Sequence, residues 1–118
     1  MHLDNLHYWP EPCGLLKKAI STPCIGREWH SLDYRGFLDV VGFALRDPHL
    51  PGDGILIELH IQADKSIGKL KVLSSQPYFT PIDAYSYDDF EEFIGTKISP
   101  CSRVEVICTA YGDLWIPD

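Results

Sequence analysis

Two short stretches of the sequence place histidine close to carboxylate side chains, the pairing that general acid–base catalysis uses. In the first stretch, Glu28, His30 and Asp33 lie within residues 27–33. If this stretch is a strand, Glu28 and His30 share one face and Asp33 points to the other, so the three groups do not converge without a bend. An ordinary surface or half-buried histidine therefore explains this stretch better than a catalytic one.

The second stretch holds Glu58 and His60, two residues apart in a clearly alternating segment. This spacing puts both side chains on one face of a strand, and Lys69 or Lys71 of the following segment could complete a polar group with them. However, any antiparallel sheet with one solvent-exposed face carries polar residues of this kind on that face. The sequence leaves open a small hydrolase or nuclease that uses His30 or His60 with nearby carboxylates.

Longer enzyme signatures are absent: the sequence has no Gly-x-Ser-x-Gly, Gly-x-x-x-x-Gly-Lys-Ser/Thr, Gly-x-Gly-x-x-Gly or His-Glu-x-x-His. Of the four cysteines, Cys13 and Cys24 are separated by ten residues and Cys101 and Cys108 by six, whereas zinc sites use gaps of two to four. In an oxidising compartment they allow two disulfides in three connectivities, and in the cytosol they stay free thiols. We predict a protein that is not an enzyme, with no catalytic residue, metal or cofactor.

Length and composition are those of one globular domain that spans residues 1–118. Apolar residues make up 45% of the chain and charged residues 23%, which is enough to build a single core. The N-terminal stretch has no basic region, and Pro10 and Pro12 interrupt the place of a signal sequence. No apolar run approaches the length of a membrane span. We expect a cytoplasmic protein without membrane contact.

Alternation of apolar and polar residues predicts strands at 54–63, 69–75 and 103–111, the last of them interior to the sheet because both of its faces are fairly apolar. Residues 37–46 are ambiguous between a helix and a strand. We favour a strand, because Gly36 and Gly42 weaken a helix and the turn at 51–54 would then complete a hairpin.

Helical spacing predicts two short helices, near 13–21 and 87–95. The second follows Ser86 in a Ser-x-x-Asp capping pattern and ends at Gly95. The predicted fold class is α+β, a single domain with a mainly antiparallel sheet of about four to five strands.

Negative charge is concentrated in the second part of the chain. Of the net charge of −7, residues 76–118 contribute −6, because they hold eight acids and two bases. Five of those acids fall between residues 83 and 92, and no lysine or arginine occurs between Lys71 and Lys97. The helix dipole favours acids at a helix N-terminus, which explains Asp88 and Asp89 as an ordinary solvated face.

The alternative explanation is a docking surface, since a localised negative field steers a basic partner and tyrosines supply rigid contact area. The same field repels phosphates, so nucleic acid is disfavoured as a direct ligand. The predicted partner-binding residues are Asp83, Tyr85, Tyr87, Asp88, Asp89, Glu91 and Glu92.

As a whole, this short, acidic, aromatic-rich chain without catalytic motifs resembles the immunity proteins that neutralise bacterial polymorphic toxins, including those of contact-dependent growth inhibition. The resemblance is one of profile rather than of signature residues. It implies a cytosolic inhibitor that binds a cognate toxin domain with a basic surface, often a nuclease, by charge complementarity. Besides the hydrolase or nuclease, an acidic nucleic-acid mimic that binds a DNA-binding protein remains an alternative.

Overall fold

The computed structural model of the protein describes residues 23–77 and 84–117, and these form an antiparallel sheet with helices. The six strands lie in the order β1-β3-β2-β5-β6-β4. The fold class is α+β, as predicted. The strands are β1 Glu28–Leu32, β2 Gly54–Ile61, β3 Ile67–Gln76, β4 Tyr85–Ser86, β5 Arg103–Thr109 and β6 Asp113–Trp115; the helices are α1 Tyr34–Leu45 and α2 Phe90–Lys97, with a 3-10 turn, Tyr87–Asp89, before α2.

Strand β2 lies in the middle of the sheet and sorts its residues between two faces. Ile55, Ile57 and Leu59 are fully buried, whereas Glu58 and His60 between them are only half-buried. Successive side chains of a strand point to opposite faces, so the odd-numbered residues define the core side. Neighbouring β3 and β5 continue this side with buried apolar residues of their own.

Both helices contribute apolar side chains to the core on that side of the sheet. Helix α1 buries Phe37, Val41 and Ala44, which repeat at helical spacing. Helix α2 adds Phe90 and Phe93, and the rings of Phe37 and Phe90 stack with their centroids 4.2 Å apart. Burial of each of the larger side chains, the phenylalanines and Val41, stabilises the fold by about 1.5–3 kcal/mol. The polar face of the sheet lies opposite the helices.

The strand predicted at 37–46 is wrong, because these residues belong to helix α1 and the segment that follows it. Asp33 caps the helix, since its Oδ1 accepts a hydrogen bond from the amide of Gly36 at 2.8 Å. A glycine inside a helix costs about 1 kcal/mol. Burial of Phe37, Val40 and Val41 on one helical face outweighs that cost, and the turn at 51–54 joins a helix to a strand.

The other predicted elements of the described region are confirmed. The strands at 54–63, 69–75 and 103–111 are β2, β3 and β5, and β5 is interior, between β2 and β6. The helix at 87–95 is a 3-10 turn followed by α2, but its predicted end at Gly95 is wrong, because α2 continues through that glycine to Lys97. Strands β1, β4 and β6 raise the strand count above the prediction. The predicted helix at 13–21 lies outside the described residues.

No helix within residues 23–77 and 84–117 combines the length and the apolar character that crossing a lipid bilayer requires.

A buried carboxylate ties the start of the described chain to the end of helix α1. Asp47 has a side chain that is 2% exposed, and it accepts hydrogen bonds from the amide of Cys24 at 2.8 Å and from the amide of His49 at 2.9 Å. Burial raises the pKa of Asp47, but the hydrogen bonds from His49 and Cys24 outweigh burial and leave the pKa below its ordinary value. The ionised form of Asp47 therefore stabilises the fold.

We predict that Asp47→Asn lowers the free energy of unfolding at pH 7 by about 1–3 kcal/mol, because it leaves buried amides poorly paired. A depressed native pKa contributes stability that is present above the unfolded value of about 3.9 and is lost as the pH falls through the native pKa. The difference from the wild type should therefore shrink in strong acid. Urea unfolding at pH 7 and pH 3 measures both effects.

The matched control is Glu105→Gln, which also neutralises one carboxylate, at an exposed position. We expect a change within about 0.5 kcal/mol for this control. Equal losses of stability in the two variants would contradict the structural role of Asp47.

Candidate functional site

The predicted partner-binding segment begins at the edge of the sheet. In strand β4, Tyr85 pairs with Leu114 and Ser86 pairs with Asp113, both of strand β6. The hydroxyl of Ser86 accepts a hydrogen bond from the amide of Asp88 at 3.1 Å. Ser86 thus caps the 3-10 turn, although it does so at the second residue after the cap rather than at the third.

Four carboxylates project from the solvent side of the turn and helix α2. Phe90, Phe93 and Ile94 are buried on the other side. We call the exposed set, which comprises Asp88, Asp89, Glu91 and Glu92, the acidic face. Within residues 23–77 and 84–117, no lysine, arginine or histidine forms a salt bridge with these four side chains. Within those residues, none of the four carboxylates is therefore paired in a salt bridge.

The field of the acidic face reaches the first residue of helix α1. Burial raises the pKa of Tyr34, and the charges of Asp88 and Glu91 raise it further. The hydroxyl of Tyr34 also donates a hydrogen bond to the carbonyl of Tyr87 at 2.9 Å. Tyr34 is thus a neighbour of the acidic face that sequence reasoning missed, because 53 residues separate it from Tyr87.

The two tyrosines predicted as contact residues are both held by the fold. The hydroxyl of Tyr87 donates to the carbonyl of Thr109, and burial, followed by the neighbouring Cys108 and Asp113, raises its pKa. The ring of Tyr85 is half-buried and packs edge-on against Phe93, with the centroids 5.3 Å apart. Tyr87 therefore fixes the turn that carries the acidic face to strand β5.

Helix α2 is held at its other end by a lysine. The side-chain amine of Lys65, in the turn between β2 and β3, donates to the carbonyl of Gly95 at 2.9 Å and lies 3.4 Å from that of Ile94. A cation at a helix C-terminus also interacts favourably with the helix dipole. Of the predicted contact residues, Asp83 lies outside the described residues.

The first catalytic candidate does not converge, in agreement with the strand geometry expected from the sequence. Glu28 and His30 lie on strand β1, with 3.8 Å between the Glu28 Oε1 and His30 Nε2 atoms. The carboxylate of Asp33 instead caps helix α1.

The second candidate forms the close pair predicted for it. His60 Nε2 lies 3.0 Å from Glu58 Oε1, and Arg103 Nε of strand β5 lies 3.9 Å from Glu58 Oε2. The hydrogen bond from His60 is the main cause that lowers the pKa of Glu58, and the charges of His60, Arg103 and Lys71 add to it. Lys71 lies directly opposite Glu58 in the β2–β3 pairing. The polar group expected from the sequence is therefore present on this face.

The three described cysteines are free thiols that differ in burial. Cys24 and Cys108 are buried, and burial raises the pKa of both, that of Cys24 to about 12. Buried thiols of this kind are poor nucleophiles. Cys101 is exposed. Among residues 23–77 and 84–117, no group of three or more histidine, cysteine, aspartate or glutamate side chains has the arrangement of a metal site.

Comparison of the chain with protein-family models, with curated proteins and with solved structures gives no match.

We predict that Tyr87→Phe lowers the free energy of unfolding by about 1 kcal/mol, because the carbonyl of Thr109 loses the hydrogen bond from the Tyr87 hydroxyl and keeps the one from the amide of Gly112. Urea unfolding measures the change. The matched control is Tyr111→Phe, which removes a hydroxyl that donates to Asp53 from a side chain that is 62% exposed. The control should change stability by less than about 0.5 kcal/mol. Equal effects of the two substitutions would contradict the anchoring role of Tyr87.

Proposed function

We propose that the protein is a cytoplasmic immunity protein that binds and neutralises a cognate toxin domain, a nuclease with a basic surface. The acidic face is the proposed contact surface, and Tyr85 and Asp83, the latter outside the described residues, are further proposed contact residues. One observation carries the proposal: the carboxylates of Asp88, Asp89, Glu91 and Glu92 share the solvent side of one short helical segment and have no cationic partner within the described residues.

Electrostatics links this surface to that class of partner. An enzyme that cleaves nucleic acid needs a basic surface to bind phosphates. A negative field of four adjacent charges attracts the same basic surface and raises the rate of association. An inhibitor bound there covers the cationic groups on which the nuclease depends. Because the field repels phosphates, nucleic acid is not proposed as a ligand of the acidic face.

The rigidity of the segment supports the same function. Ser86 and Tyr87 fix its start and Lys65 fixes its end through the hydrogen bonds described above. A surface that is already ordered loses little conformational entropy on binding. The exposed part of Tyr85 adds apolar contact area at the edge of the charged surface.

The experiment that tests the proposal is neutralisation of a toxin in cells. The neighbouring upstream gene is sequenced first, and the C-terminal domain of a secreted toxin found there is expressed with and without this protein; the absence of any toxin gene beside this one would count against the proposal. Restored growth and a complex that co-purifies are the expected results. Growth arrest that persists in the presence of the folded protein would overturn the proposal for that toxin.

We predict that reversal of all four charges, with lysine at positions 88, 89, 91 and 92, lowers the association rate constant for the toxin domain at low ionic strength by about ten-fold or more. The salt dependence of association should weaken as well, because long-range attraction is what salt screens. Stopped-flow or surface-based kinetics at two ionic strengths measures both quantities.

A matched single-site comparison separates location from net charge. Glu92→Lys and Glu105→Lys each change the charge by two units at an exposed position, but only Glu92 belongs to the acidic face. We expect Glu92→Lys to slow association more than Glu105→Lys. Equal effects would show that total charge, rather than the acidic face, governs binding.

A further inference from the structure

The face of the sheet opposite the helices carries two cross-strand rows of ionisable side chains. In the first row, Lys69 of β3 lies directly opposite His30 of β1 on one side and His60 of β2 on the other. In the second row, Lys71 lies in the same way between Glu28 and Glu58. The sheet thus holds two glutamate–histidine pairs, one on each side of strand β3, with two lysines between them.

Each histidine is accompanied by a carboxylate and a cation. Glu28 lies 3.8 Å from His30 and 3.5 Å from the amine of Lys69. Glu58 lies 3.0 Å from His60 and 3.9 Å from the guanidinium of Arg103. The hydrogen bond between Glu58 and His60 fixes the orientation of that imidazole ring. The arrangement has the parts of an acid–base site with two histidines.

We infer that this face is a second functional site, which cleaves the phosphodiester bonds of single-stranded RNA without a metal ion. The inference goes beyond the proposed immunity function and uses none of the residues of the acidic face. Two strand spacings separate the histidines, roughly 10 Å between their Cα atoms, so a phosphate group over Lys69 lies between the two rings. The amine of Lys69 faces the charge that develops on the phosphate oxygens.

RNA is the substrate class because it carries its own nucleophile. One imidazole, in its neutral form, takes the proton of the ribose 2′-hydroxyl, and the 2′-oxygen attacks the phosphorus. The bond from phosphorus to the 5′-oxygen breaks, and the other imidazole, in its protonated form, gives its proton to that oxygen. The products are a 2′,3′-cyclic phosphate and a 5′-hydroxyl. The step needs no water, metal or other reactant.

Charge and exposure on this face are compatible with an anionic substrate. The fixed charges of this face sum to zero, because it carries three carboxylates, Glu28, Glu58 and Glu105, and three cations, Lys69, Lys71 and Arg103. Protonation of a histidine would give the face a net positive charge. His30 is 63% exposed, His60 31% and Lys69 26%. The strongly negative acidic face belongs to a helix packed on the other side of the sheet.

The test uses the full-length protein and a short single-stranded RNA oligonucleotide in a buffer with EDTA. The expected result is a product that ends in a 2′,3′-cyclic phosphate, with no cleavage of the oligonucleotide in which the 2′-hydroxyls are replaced by hydrogen. The rate should pass through a maximum with pH, since one ring must be neutral and the other protonated. The charged groups that face His60 are Glu58, Lys69 and Arg103, and those that face His30 are Glu28 and Lys69.

His30→Ala and His60→Ala should each lower the rate by about 100-fold or more. The control is His49→Ala, which removes a histidine that bonds to Asp47 away from this face and should leave the rate unchanged. Thermal unfolding of each variant shows that it is folded. No cyclic-phosphate product from the folded wild type, or cleavage that both histidine variants retain, would overturn the inference.

The proposed immunity function and the proposed RNA cleavage use different residues, so separate variants test them. The combined variant Asp88→Lys, Asp89→Lys, Glu91→Lys and Glu92→Lys should impair toxin binding and leave RNA cleavage intact. His60→Ala should lower RNA cleavage by about 100-fold or more and leave toxin neutralisation intact.

Discussion

Burial of one face of strand β2 is the constraint on which the rest of the structure depends. Ile55, Ile57, Leu59 and Ile61 are almost fully removed from water, and both helices pack their apolar side chains against that side of the sheet. The side chains between them must then point the other way. The same alternation that builds the core thus places Glu58 and His60 on the face of the sheet opposite the helices.

The acidic face depends on the core in a comparable way. Phe90, Phe93 and Ile94 have to be buried, so the remaining positions of a helix this short turn outward. Tyr87 adds a second attachment, through its hydrogen bond to the backbone of β5. The turn that carries the acidic face is therefore attached directly to strand β5, and a substitution of Tyr87 affects that attachment.

Much of this organisation could be predicted from the sequence. Where prediction failed, the reasons are physical. The alternation at residues 54–63 specifies a strand and its buried side almost by itself, and Ser86 marks the start of the acidic segment. The strand predicted at residues 37–46 was wrong because the glycines there disfavour a helix only locally. The helix is stabilised by burial of Phe37 against residues distant in sequence, such as Phe90.

The candidate sites show the same division. The spacing of Glu58 and His60 was sufficient to predict their pairing on one face. The symmetric placement of His30 on the far side of Lys69 was not predictable, because it depends on β1 pairing with β3, some 40 residues further along the chain. The proximity of Tyr34 to Asp88 is likewise a product of tertiary packing.

The two outermost strands of the sheet have a consequence for self-association. Within the described residues, β4 has only two residues, and β1 is interrupted at Ser31, whose φ of 56° departs from extended geometry. A strand from a second copy needs a longer regular edge to pair with. Both edges of the sheet, as far as the described residues form them, are thus poor templates for pairing with a second copy.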